Sequence, residues 1–277
     1  MIPKVSIIIP CFNAEATIKE TIESVLKQSY KSIEIVIVDD GSTDNTFELI
    51  RAYQNDFIKI FSQQNAGPSA SRNYGASQAR GKYLCFIDSD DKIYPEFIET
   101  CMDAYSENPK LEIVYTDAEF FEGKSGKWNL SEFSLKQFLV DNCIPIYPII
   151  KKDTFLSLGG FDSHLKYTED WELWIRIVKQ GGGVKKINKI LYQYRKHTGK
   201  NKSLTDLNEI ENVSDKSRLY IYNKHYDFYK LNGLDISTLI TSVNDNTKYK
   251  KKYYNTWYRK LIYTIFKPKK YKQLMGE

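Results

Sequence analysis

Four short apolar runs, each closed by a polar cluster, constrain this chain more than any other feature of it. Val5-Ser6-Ile7-Ile8-Ile9 ends at Pro10, and Ile33 to Val38 ends at Asp39-Asp40-Gly41-Ser42. Ile58-Lys59-Ile60-Phe61 leads into Asn65-Ala66-Gly67-Pro68, and Tyr83 to Ile87 ends at Asp88-Ser89-Asp90-Asp91. Continuous β-branched runs of this length are strands buried on both faces. The stretches between them carry helical spacing: Ile18, Ile22, Val25 and Leu26 after a cap at Asn13, then Thr43 to Gln54, then about Ser69 to Ala79 with Gly81 as its stop. Strands alternating with helices at this spacing join by right-handed crossovers into a mostly parallel sheet flanked by helices, an α/β fold. The polar clusters then fall together at the carboxyl ends of the strands, the edge where such sheets bind ligands.

Beyond residue 110 the pattern loosens. A strand is expected near Glu112 to Tyr115, a helix near Leu135 to Asp141, and an apolar strand at Ile146 to Ile150. Gly159-Gly160-Phe161-Asp162 precedes a helix from Glu169 to Lys179, which three glycines end, and a strand follows at Leu191 to Tyr194. From about residue 204 the chain reads as helical, polar and rich in Tyr. With 42% hydrophobic and 27% charged residues over 277 positions, a packed core is expected and wholesale disorder excluded. Cys11, Cys85, Cys101 and Cys143 lack zinc-site spacing and give no disulfide framework, which suits a reducing, cytoplasmic setting. No signal-peptide pattern opens the sequence, and no apolar run reaches the roughly 18 residues a bilayer requires.

Net charge is unevenly distributed. Residues 248–277 hold nine Lys and one Arg against one Glu, a local charge of +9, so in a chain of +5 the preceding 247 residues carry −4. A chain whose main body is acidic is not one that coats nucleic acid, and no nucleic-acid partner is expected.

Five elements carry chemistry. Asp88-x-Asp90 at a strand end directs two hard carboxylates at one crevice, which suits Mg²⁺ or Mn²⁺ held with a diphosphate, or else is a solvated acidic loop. Asp40, one crossover earlier, either accepts hydrogen bonds from a ribose or base, or belongs to a turn and helix cap. Arg72, in the helix after Gly67-Pro68, offers a fixed fork of donors for a pyrophosphate or base carbonyl. Glu169-Asp170 opens an apolar helix, where the helix dipole favours an ionised carboxylate ready to act as a base, although charge compensation alone also places acids there. His197, beside Arg195 and Lys196, is a metal ligand, a phosphate contact or a surface residue.

Taken in order, Val5 to Asn13, Asp39 to Asp44, Ser71-Arg72-Asn73, Gly81 to Asp91, Gly159 to Asp162, Glu169-Asp170-Trp171 and Tyr194-Arg195-x-His197 resemble glycosyltransferase family 2 with its GT-A fold, over about residues 3 to 200. The resemblance implies a catalytic domain over 1–203, with a Rossmann-like nucleotide-binding half to about 115 and an acceptor-binding half over 116–203, followed by a helical extension over 204–277. It implies inverting transfer of a sugar from a nucleotide diphosphate donor, a UDP-sugar by preference, to an acceptor hydroxyl with help from Mn²⁺ or Mg²⁺. Carried onto this chain, Pro10, Phe12, Asn13 and Glu15 wall the nucleotide pocket, with Phe12 where many relatives have Tyr. Asp40 contacts the base and Arg72 base or phosphate, while Asp88 and Ser89 lie along the ribose. Asp90 and His197 hold the metal, with Asp91 a further candidate, and Asp170 is the base beside Glu169. The Gln-x-x-Arg-Trp signature of processive members is missing, which implies single addition.

In the tail, Tyr253, Tyr254, Trp257, Tyr258, Leu261, Ile262, Ile265 and Phe266 recur near four-residue spacing between Lys clusters. That pattern fits a helix in an anionic membrane interface, or one packed on the protein or on a second subunit. The expected setting is therefore cytoplasmic and peripheral at the inner membrane face. The expected acceptor is a glycan, lipid-linked, in bacterial surface polysaccharide synthesis. Nucleotidyl transfer is the competing enzyme reading, and it would release pyrophosphate in place of UDP. A non-catalytic sugar-nucleotide or glycan-binding module would bind a donor without turning it over.

Overall fold

The computed structural model describes residues 4–197, 213–239, 241, 261–262, 265–266 and 268–269. The chain divides into two compact units, 1–221 and 222–277. In the first, nine strands form one mixed sheet: β1 (Val5–Cys11), β2 (Ile33–Asp39), β3 (Ile58–Ser62), β4 (Tyr83–Phe86), β5 (Lys92–Ile93), β6 (Leu111–Glu122), β7 (Gly126–Trp128), β8 (Ile149–Lys151) and β9 (Gly183–Lys196). Their order is β3-β2-β1-β4-β8-β6-β9-β5, with β7 paired to β6. The β3-β2-β1-β4 half is parallel as expected. Beyond it the sheet is mixed, because β8 runs antiparallel to both β4 and β6 while β9 returns parallel to β6.

Every residue of β1 is buried, which matches its unbroken apolar run. One face of β1 (Val5, Ile7, Ile9 and Cys11) shares a core with α1 (Ile18–Leu26) and α4 (Phe97–Glu107). On the other face lies α3 (Pro68–Gln78), whose buried side is small and polar: Ser69, Ser71, Arg72, Gly75 and Ala76. Helix and sheet approach so closely there that a Cβ on Gly75 would stand 2.6 Å from Ile8 Cγ2. The tight approach sinks Arg72 to 5% exposure. Pro68 in the first turn costs α3 no hydrogen bond, since that N–H has no partner within the helix.

Several expectations shift in the structure. Asn13 does not cap α1, which begins five residues later. Its backbone is left-handed (φ 49°), and its Oδ1 accepts from the Thr43 N–H and hydroxyl in the next loop. The second helix, α2, shortens to Thr46–Arg51, and α5 to Leu135–Phe138. Strands β6 and β9 run to 12 and 14 residues, far beyond the segments expected. Helix α6 (Lys152–Ser157) precedes the double glycine, and α7 (Glu169–Lys179) keeps the expected bounds. Helices α8 (Val213–Lys224) and α9 (Tyr226–Leu231) belong to the expected helical extension. The membrane-facing part proposed for Tyr253, Tyr254, Trp257 and Tyr258 lies outside the described residues. All four cysteines are free and buried. Among the described residues no helix is long and apolar enough to cross a membrane.

Candidate active site

The loops after β1 and β2 are bonded together. Asn13 N donates to Ser42 Oγ (3.0 Å), Ala14 N to Thr46 Oγ1 (2.7 Å) and Asn45 N to Glu15 Oε2 (3.0 Å). Asn13 and Glu15 thus hold loop to loop. Pro10, buried at the end of β1, leads into Phe12, whose ring is 48% exposed at the sheet edge.

Asp40 lies beneath the β3–α3 loop. Its Oδ1 accepts from Gln63 Nε2 (2.7 Å) and Ala66 N (3.0 Å), and its Oδ2 accepts from Gly67 N (2.8 Å). The residue expected against a base is therefore occupied in fastening the entry to α3, the helix that carries Arg72.

Asp88 to Asp91 fold into a turn, with Asp91 N donating to the Asp88 carbonyl (3.1 Å). The chain leaves that turn as β5, which pairs antiparallel with β9 in the register Lys92–Gln193. Stepping back from Lys92 along one strand corresponds to stepping forward from Gln193 along the other, so this pairing delivers Arg195 and His197 to the acidic turn. His197 Nε2 lies 2.7 Å from Asp90 Oδ2. Asp91 is buried, and both its oxygens are taken: Tyr192 Oη donates at 2.6 Å and Arg195 N at 2.8 Å. It anchors the turn. Arg195 adds a bond from Nε to the Asp90 carbonyl (2.7 Å) and pairs with Glu20 and Glu122. Burial, then the neighbouring Asp88, push the Asp90 carboxyl above its ordinary range. Ser89 is half-buried within the turn.

Arg72 ties this turn to α7. Its Nη2 donates to Asp88 Oδ1 (2.6 Å) and its Nη1 to Glu169 Oε1 (2.7 Å), 16 and 97 residues away in sequence. Burial alone would make the guanidinium easier to deprotonate, but Asp88 and Glu169 more than offset that. Its Nε is buried without a hydrogen-bond partner among the described residues.

Asp170 opens α7 beside this pair. Its Oδ1 accepts from Trp171 N (2.7 Å) and its Oδ2 from Asn142 Nδ2 (3.3 Å). Burial, then the charge of Glu169, push its pKa up to about 7, against the lowering by the Trp171 N–H and by Arg72. The dipole argument from sequence gave the opposite sign. Desolvation outweighs it here, and a carboxyl whose pKa lies near neutrality is a stronger base than one of ordinary pKa.

The start of α7 is held by the turn before it. Arg176 donates to the Leu158 and Gly160 carbonyls (both 2.6 Å) and pairs with the fully buried Glu172. Asn73, next to Arg72, pairs both ways with Phe161: Asn73 Nδ2 donates to its carbonyl (2.9 Å), and its N–H donates to Asn73 Oδ1 (2.8 Å). Arg195 stands in the Tyr194-Arg195-x-His197 motif, so its signal is present in the sequence. Asn142 carries no sequence signal, because it stands in an irregular stretch.

Among the described residues no three His, Cys, Asp or Glu side chains form a metal cluster. Asp90 with His197 is a two-residue set, one hard oxygen and one imidazole. That set fits Mn²⁺ or Mg²⁺, which take one or two protein ligands and complete their shell with substrate phosphates and water.

The family model described as glycosyl transferase family 2 matches residues 6–167. The chain is 34% identical over 224 residues to an uncharacterized glycosyltransferase of Rickettsia typhi, covering 76% of this chain and 69% of that one. It is 28% identical over 258 residues to the chondroitin synthase of Pasteurella multocida, covering 82% of this chain and 26% of that protein. Among solved structures, S. aureus TarS 1-349 in complex with UDP-GlcNAc is similar with a TM-score of 0.64 and 21% identity, covering 90% of this chain and 81% of that one. With more than half its length matched by the family model, this chain belongs to glycosyltransferase family 2.

Proposed function

We propose that this glycosyltransferase moves a sugar from a UDP-sugar to a hydroxyl of a glycan acceptor, inverting the anomeric centre. The observation that carries the reading is Arg72 bridging Asp88 and Glu169, because it draws the acidic turn after β4 and the base at the head of α7 into one crevice. The UDP-GlcNAc bound in a TarS structure of the same fold supports uridine as the donor base.

In this reading Phe12 stacks on the base, Pro10 backs it, and Asn13, Glu15 and Asp40 hold the loops that frame it. Asp88 and Ser89 lie along the ribose and diphosphate. Asp90 and His197 would hold Mn²⁺ or Mg²⁺, which when bound offsets negative charge on the diphosphate. Asp170 accepts the proton of the acceptor hydroxyl as that oxygen bonds to the anomeric carbon. The bond from carbon to diphosphate oxygen breaks on the opposite face, its electron pair leaves with UDP, and one displacement inverts the centre. Arg72 keeps positive charge beside the departing group, and its bond to Glu169 positions the first turn of α7. The setting that fits is a lipid-linked glycan in bacterial surface polysaccharide synthesis, with residues 248–277 against the anionic inner face of the membrane.

A thermal-shift panel of UDP, GDP, dTDP and CDP, each with and without Mn²⁺, tests the donor and the cation pair together. A ligand at 100 times its Kd adds about 2.7 kcal/mol to the native state. The expected result is a UDP-selective shift that Mn²⁺ enlarges and that Asp90→Ala largely removes. A shift with another nucleotide, or none with UDP, overturns the donor assignment.

A further inference from the structure

A cavity of about 180 Å³ has Asn142 in its wall, and no part of the donor reading uses it. Its lining includes Trp128, Asn129, Ser131, Gln137, Asp141 and Asn142. One of these, Asn142, donates from Nδ2 to Asp170 Oδ2. Asn142 Oδ1 accepts from Ile144 N (3.0 Å), which fixes the amide so that its NH₂ is the end turned to Asp170. An NH₂ has a second hydrogen to offer a ligand.

The cavity is built from otherwise irregular chain that is tied down at several points. Lys186, 6% exposed on β9, donates to the Leu130 carbonyl (2.9 Å) and pairs with Asp117 and Glu132. Trp171 Nε1 donates to the Phe138 carbonyl (2.9 Å). The Trp128 indole is stacked on Phe120 (centroids 5.6 Å apart, planes at 25°) and tilted against Tyr194 at 5.1 Å.

The chemistry of the walls selects the occupant. One half-buried indole, with Leu130 and Cys143, faces amides, a hydroxyl and a carboxylate, which is how a protein receives a ring that is apolar on its C–H face and polyhydroxylated at its rim. No Lys or Arg lines the space, which disfavours phosphate, and so polar a wall disfavours an acyl chain. The volume suits one pyranose ring and not two. We infer that this cavity is the subsite for the terminal sugar of a carbohydrate acceptor, seated on Trp128 and held by Asn142, whose amide links the cavity wall to Asp170. The inference rests on the transfer reading above, because Asp170 is the base only in that reading.

The test uses the full chain labelled with ¹⁵N-tryptophan, which gives four indole signals, one of which Trp128→Phe assigns. With UDP and Mn²⁺ present, methyl glycosides of glucose, galactose, mannose, rhamnose, N-acetylglucosamine and N-acetylgalactosamine are titrated in turn. The Trp128 signal should move saturably with at least one of them. Asn142→Ala, and separately Gln137→Ala at an exposed position, should weaken that binding at least fivefold while leaving the UDP shift unchanged. A Trp128 signal that no glycoside moves while UDP binds overturns the subsite and leaves the donor reading standing. Glycoside binding without UDP binding keeps the carbohydrate cavity and overturns the donor reading. Binding unaltered by both substitutions places the sugar elsewhere and overturns the inference.

Discussion

Three carboxylates share one guanidinium at the centre of the site. Arg72 is bonded to Asp88 and Glu169, and both of those acids raise the pKa of Asp170, with Arg72 the charge that restrains the rise. With the Asp170 carboxyl at about 7, turnover should climb with pH as the base loses its proton, with a midpoint near 7 and about a tenth of the sites competent at pH 6. Removing the positive charge raises the carboxyl further, so Arg72→Gln should carry that acid limb to higher pH. It should also destabilise the fold by about 3 kcal/mol or more, since two acids lose a buried partner. Asp170→Asn should abolish the limb and lower kcat by roughly 10²- to 10⁴-fold while UDP affinity stays within about twofold. A pH–rate profile of the three proteins checks this, and an acid limb that survives in Asp170→Asn would move the base to another group.

At the scale of elements, α3 is the piece on which the site depends. It carries Arg72 toward the acids and Asn73 toward the Gly159–Phe161 turn, so neighbouring side chains of one helix serve chemistry and scaffold. Gly160 is left-handed (φ 72°), and a Cβ there would collide with Asn73 Oδ1. Gly160→Ala should therefore lower stability by about 1–3 kcal/mol and misplace the start of α7, seen as a fall in Tm together with a fall in kcat. An unchanged Tm would show that the turn can relax. The elements that could be read from sequence are those whose apolar pattern is unbroken: β1, β2, β4 and α7. Strand β6 escaped beyond its first residues because Asp117, Glu119 and Glu122 interrupt its apolar run in sequence. Strand β9 escaped because only three of its fourteen residues are buried, which left little pattern to see. Asn13 was misjudged because its side chain answers to a loop 30 residues away, and such a partner leaves no local mark. Among the site residues, Asp88, Asp90, Asp170, Arg72 and His197 were found as chemical types at strand and helix ends. The anchoring work of Asp91 and Arg195 emerges only from the pairing of β5 with β9.

For the whole molecule, charge divides a body of −4 over residues 1–247 from a tail of +9 over 248–277. Leu261, Ile262, Ile265 and Phe266 are 50–75% exposed, apolar side chains at helical spacing beside lysines. Vesicles containing anionic lipid should bind the full chain in a manner that weakens as salt rises, and truncation before Lys248 should abolish sedimentation with them. Equal sedimentation of the truncated chain would place the contact elsewhere. The separations along the chain at the site have a further meaning. His197 meets Asp90 across 107 residues, Arg72 meets Glu169 across 97, and Arg195 meets Glu20 across 175. Pairings that distant close late, because the entropy of joining far-apart segments is lost before their contacts repay it. A chain emerging from the ribosome can lay down β1 to β4 and frame a nucleotide while the histidine and the base are still unsynthesised. Competence to react is thus the last property this domain acquires as it is made, and no fragment ending before residue 197 should possess it.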